Sequence, residues 1–108
     1  MEFSKSITDN TLTLHLNGDL DAQGCDVLRD EFVTLAENPS FSMIDIDLEN
    51  VQFIDSSGIG LIVFLFKKLR TQTIDLSIKN IHSQPLELIQ LLRIESVITI
   101  TPLISSDI

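Results

Sequence analysis

The chain holds one cysteine, Cys25, so no internal disulfide can form and a reducing compartment suits it. It has no tryptophan or tyrosine, and six phenylalanines are its only aromatics, so the core must be aliphatic. Basic residues are scarce: seven Lys and Arg face sixteen Asp and Glu, for a formal net charge of −9. Such a surface repels phosphate backbones and anionic lipid, which speaks against nucleic-acid and membrane-surface partners. It favours a basic protein surface instead. Long apolar runs are missing too. The longest, residues 59–66, falls far short of the ~20 residues that span a bilayer, so no membrane insertion is expected. The first ten residues lack the apolar stretch of a secretory leader, which leaves the cytoplasm as the expected location. Zinc-ligand spacing, a Walker A loop, Gly-x-Gly-x-x-Gly and Gly-x-Ser-x-Gly are all absent. The expectation is therefore no cofactor, no metal and no enzyme activity.

What remains is a chain of 108 residues, the length of one domain, read as residues 1–108 without linkers or repeats. Its 44% hydrophobic content can fill a core and argues against disorder despite the acidity. Residues 11–17 alternate strictly, the mark of a strand with one wet and one buried face. Residues 3–7 are the candidate hairpin partner, with Asp9-Asn10 as the turn. Alternation returns over 43–50 and 74–79, and a last strand is expected over 97–101, interrupted by Pro102. Between them fall three helices. The first is capped by Asp21 and runs to about Ala36, with Cys25, Leu28, Phe32, Leu35 and Ala36 on one face. The second covers about 57–70, and the third about 85–92, with Ser83 or Gln84 as its cap. Asn38-Pro39-Ser40 closes the first helix, and Ser105-Ser106-Asp107 reads as a frayed tail. The order is that of an α/β fold. Strands that each carry a full polar face imply helices packed mainly on one side of the sheet.

The most informative stretch is Phe53-Ile54-Asp55-Ser56-Ser57-Gly58-Ile59-Gly60-Leu61, where a strand ends and a helix opens. Asp55, Ser56 and Ser57 are all capping types. Gly58 and Gly60 weaken the first turn, so close approach of another backbone or of a partner is expected there. A serine at a helix tip sits beside unpaired N–H groups, and a phosphate placed on it would gain hydrogen bonds. The same four residues, Asp-Ser-Ser-Gly, also read simply as a helix cap. The helix that follows is apolar nearly all round. Ile59, Ile62, Val63 and Phe66 are expected to meet the sheet. Leu61, Phe64 and Leu65 are left for the third helix or for a partner. Asp45, Asp47 and Glu49, two residues apart, read as one solvated strand face, and His15 and His82 as surface residues.

Gly18-Asp19-Leu20-Asp21, followed by a helix and then by the run from Ile46 through Asp55-Ser56-Ser57-Gly58-Ile59-Gly60-Leu61, resembles the STAS domains of anti-sigma factor antagonists. The resemblance covers about residues 7–103. It implies a mixed four- to five-stranded sheet with helices mainly on one face. It also implies that the unphosphorylated form binds a serine kinase that doubles as an anti-sigma factor. That kinase would phosphorylate Ser56 and so release itself, and a metal-dependent serine phosphatase would reverse the step. By the same resemblance Asp55 positions the hydroxyl. Asp21, Ser57, Gly58, Ile59, Gly60 and Leu61 join the motif and partner surface. Family members often carry a glycine between the third helix and the last strand, where Glu95-Ser96 stand here, and a longer C-terminal helix. Three other readings stay open: control of an effector that is not a sigma factor, an unphosphorylated subunit of a membrane transport complex, and a phosphocarrier acting through His15.

Overall fold

The structure, a computed structural model, describes residues 1–37 and 40–104. The turn expected at Asn38-Pro39 and the tail at 105–107 lie outside those residues. Five strands, β1 (Glu2–Thr8), β2 (Thr11–Asn17), β3 (Met43–Asn50), β4 (Asp75–Ile81) and β5 (Thr99–Pro102), lie side by side in chain order. Asp9 and Asn10 turn β1 back on β2 with φ of 50° and 64°, the left-handed pair that a tight two-residue hairpin needs. β2, β3, β4 and β5 are parallel. They are joined through α1 (Ala22–Glu37), α2 (Ser56–Arg70) and α3 (Ser83–Leu91). A sheet that advances in one direction through right-handed crossovers carries all its helices on one face.

That face is the core. Leu12, Leu14 and Leu16 of β2 alternate into it, beside Ile44, Ile46 and Leu48 of β3 and Leu76 and Ile78 of β4. Cys25, Leu28 and Phe32 of α1 and Leu61, Ile62, Leu65 and Leu69 of α2 cover them. The buried stripe of α2 differs from the expected one. Leu61 and Leu65 are inside, whereas Ile59, Val63 and Phe66 are only partly covered, and α1 rather than α3 packs along α2. A helix apolar all round gives no phase in its sequence, and the contact at Gly58 described below sets it instead.

Two other boundaries move. His82, in extended backbone, is the N-cap of α3 and makes no side-chain cap bond, so neither Ser83 nor Gln84 caps the helix. Pro102 continues β5, opposite Ile81. Proline is tolerated there because β5 is an edge strand. The left-handed residue that ends α3 is Arg93, at φ 59°.

The opposite face of the sheet is polar but more organised than a solvated surface. Ser77 Oγ donates to Asp45 Oδ1 at 2.8 Å, and Lys79 Nζ lies 3.7 Å from Asp45 Oδ2. Asp47 accepts from the Glu49 N–H at 3.0 Å and from Asn80 Nδ2 at 3.1 Å, and meets His15 Nδ1 at 2.9 Å. The spacing-of-two pattern correctly puts these acids on one face. It could not show the partners, which come from other strands. Burial alone would push the Asp47 carboxyl up. The bonds from Glu49, His15 and Asn80 outweigh it and hold the group below its ordinary range.

A carboxyl whose pKa is depressed by folding stabilises the fold above the unfolded value, and that contribution is lost as pH falls through the folded value. Stability of the wild type should therefore drop on acidification below about pH 4. Asp47→Asn should flatten that slope in urea titrations run at a series of pH values.

Candidate functional site

At the carboxyl ends of the parallel strands the chain makes a seam outside the regular sheet. Leu20 and Ile54 form an isolated parallel bridge. The Leu20 N–H donates to Phe53 O at 2.9 Å, and the Asp55 N–H to Leu20 O at 3.3 Å. On the other side Gln84 clamps Ile54: its Oε1 accepts from the Ile54 N–H and its Nε2 donates to the Ile54 carbonyl, each at 2.9 Å. The side-chain amide thus takes the place of one residue of a neighbouring strand. His82 Nε2 bonds Glu49 O at 2.8 Å and ties the same region to the start of α3. Nothing in the sequence marked Gln84 for this work, because an amide clamp has no spacing signature. Only its place just before an apolar helix was visible.

The seam fixes the entry to α2. Asp55, with φ −118° and ψ −169°, is the N-cap. Its Oδ1 accepts from the Ser57 N–H at 2.9 Å and the Gly58 N–H at 3.2 Å. Its own carbonyl accepts from the Ile59 N–H at 3.0 Å. Ser56 is the first helical residue, and both it and Ser57 are exposed. A phosphoryl group on Ser56 would find these three N–H groups already engaged. The expected gain in hydrogen bonds is therefore reduced, since Asp55 already holds three of the first-turn donors, and the group would stand next to a carboxylate.

The two glycines differ. A Cβ on Gly58 would stand 2.4 Å from Leu20 O and 2.7 Å from Ile54 Cγ1, so glycine is required for α2 to seat on the seam. A Cβ on Gly60 would meet nothing within 4 Å. The fold does not need that second glycine. Gly60 lines a groove of about 370 Å³ between α1 and α2, with Arg29, Val33, Ser57, Leu61 and Phe64. Leu61 is buried at its floor and Ile59 is partly covered, while Phe53 stands 42% exposed in the loop before the cap.

Asp21 caps α1, its Oδ1 accepting from the Gly24 N–H at 2.9 Å, and the Leu20–Ile54 bridge brings this cap to the same end of the sheet as Asp55. Cys25 lies buried beneath both. Burial first, and the Asp55 charge second, push its thiol up, so it stays protonated and unreactive at neutral pH.

Residues 2–106 match the family model described as STAS domain. The chain is 28% identical, over 93 residues, to the anti-sigma-B factor antagonist of Bacillus subtilis (strain 168), covering 86% of this chain and 84% of that protein. It superposes with a TM-score of 0.83 on an anti-sigma factor antagonist from Mycobacterium paratuberculosis. That pair is 18% identical, with 94% of this chain and 85% of the other covered. The Bacillus cell fate determinant SpoIIAA in its phosphorylated form superposes at 0.73, with 21% identity and 92% and 90% coverage. Among the described residues no helix is long and apolar enough to cross a membrane.

Gly58→Ala should destabilise the fold by about 1–3 kcal/mol, the usual effect of overpacking. Gly60→Ala should leave stability unchanged or raise it by up to about 1 kcal/mol, since alanine is the better helix former. Thermal unfolding of the two variants checks both.

Proposed function

The chain belongs to the STAS domain family, and on that footing we propose that it is an anti-sigma factor antagonist switched by phosphorylation of Ser56. The unphosphorylated form binds a serine kinase that doubles as an anti-sigma factor. Phosphate on Ser56 releases that partner, and a metal-dependent serine phosphatase restores binding. Residues 1–108 act as one domain, in the cytoplasm.

One observation carries this reading: Ser56 is exposed at the tip of a helix that the Asp55 side chain already caps. A kinase can reach the hydroxyl without unfolding anything. The modification adds roughly −1.5 to −2 charges next to Asp55 and leaves the cap bonds as they are. A partner seated over that tip would then have to strip water from a dianion, which costs several kcal/mol. Since ~1.4 kcal/mol is tenfold in affinity, partial desolvation is enough to end the complex.

Three features beside the tip support a docking surface for such a partner. Gly60 opens the groove between α1 and α2, Ser57 lines it, and Phe53 is exposed in the loop before the tip. Asp21, Gly58, Ile59 and Leu61 support this surface from below, by capping α1, seating α2 and packing. The net charge of −9 suits a basic partner face.

Ser56→Asp should keep the fold, judged by circular dichroism and thermal unfolding, and weaken binding to an anti-sigma kinase from the same genome by at least ~10-fold. Ser56→Ala should bind in the presence of ATP, where the wild type is released. Binding of Ser56→Asp as tight as wild type in calorimetry would refute the switch.

A further inference from the structure

Away from the helix tip, the polar face of the sheet lines up three side chains from three strands. Ser6 stands on β1, His15 on β2 and Asp47 on β3. Ser6 Oγ is 3.0 Å from His15 Nε2, and His15 Nδ1 is 2.9 Å from Asp47 Oδ2. The register explains the alignment. Ser6 pairs with Thr13 and Ser4 with His15, so Ser6 is one step diagonal to His15, while His15 and Asp47 are direct partners across β2 and β3.

The proton positions follow from the partners. A carboxylate only accepts, and Asp47 is held in that form, so His15 Nδ1 must carry the proton. In the neutral ring Nε2 then holds the lone pair, and the Ser6 hydroxyl is the group that donates. Asp47 cannot turn away, because its Oδ1 is fixed by the Glu49 N–H and by Asn80 Nδ2. Asn80 is itself set by a left-handed backbone, φ 59°, at the register shift between β4 and β5. This is the order and polarity of a nucleophile, its base and the base's orienting group. The hydroxyl is on an exposed edge strand, and the His15 side chain is 40% exposed.

We propose that Ser6 is an activated nucleophile that accepts an acyl group from activated donors such as aryl esters, acyl phosphates or thioesters. In the step, Ser6 Oγ forms a bond to the acyl carbon and the bond from that carbon to the leaving group breaks. The hydroxyl proton passes to His15 Nε2, and the leaving group departs with the electron pair. None of the three described cavities is lined by Ser6, His15 or Asp47, so no acyl chain is gripped and the donor must bring a good leaving group. The outcome is a single covalent mark on β1 rather than turnover. It does not depend on the Ser56 switch.

The test uses p-nitrophenyl acetate with the whole chain, following release of nitrophenolate by stopped flow and locating the added acetyl group by peptide mass mapping. Wild type should give a burst close to one equivalent, with the acetyl group on Ser6. Ser6→Ala should lose the burst. His15→Gln and Asp47→Asn should slow it by at least about tenfold, the lower side of what a positioned base supplies. The pH–rate profile of the wild type should carry one ionisation that His15→Gln lacks, a change that a merely structural role would not produce. Circular dichroism and binding at the Ser56 surface should be unchanged in Ser6→Ala. Three results would overturn the proposal: acetyl groups only on lysines or the N-terminus, a full burst from Ser6→Ala, or a His15→Gln rate equal to wild type.

Discussion

The bridge between Leu20 and Ile54 is the constraint on which the site depends. It joins the two loops that leave β2 and β3, and its backbone is the floor on which α2 begins. Gly58 lies so close to Leu20 O that no side chain fits, and this closeness places Asp55 over the first-turn amides. The rotation of α2 follows, and with it which leucines enter the core. Gln84 closes the far side by giving Ile54 the two bonds a further strand would have supplied. Unpaired buried backbone is costly, at roughly 1–3 kcal/mol per group, so the clamp is part of the foundation and not a surface detail.

Much of the fold was legible in the sequence because its signals are local. Strict alternation marked β2, β3 and β4, Asp9-Asn10 marked the hairpin, and Asp21 marked the start of α1. The helix tip was legible for the same reason: capping residues and two glycines sit together at a strand-to-helix junction. What failed was non-local. The phase of α2 could not be read from a helix apolar all round, because it is set by a contact with Leu20. The cap of α3 was misplaced because Gln84 looked like a capping residue while its amide bonds Ile54, thirty residues away. Asp45 and Asp47 looked solvated because Ser77, Lys79, His15 and Asn80 reach them only once the strands are in register.

The two layers of the molecule carry separate chemistries. On the helix side, the charge of Asp55 is consumed by backbone donors, which leaves an exposed hydroxyl next to a fixed negative group. On the bare side, acids are paired with side chains across strands, and Asp47 is the most heavily bonded of them. A net charge of −9 would repel itself if it were loose. On the sheet face the donors beside Asp45 and Asp47, with the Lys79 charge among them, offset part of that repulsion locally.

β1 is joined to the rest of the sheet along one side only, its seven residues are all exposed, and Lys5 ties it to α1 through Glu31 at 2.6 Å. It is the element the sheet can release at least cost, since opening it uncovers little of the core. A segment that peels away while the other four strands stay paired would exchange its amide hydrogens early, on a clock of its own. β1 is then a hinged flap on an otherwise rigid plate.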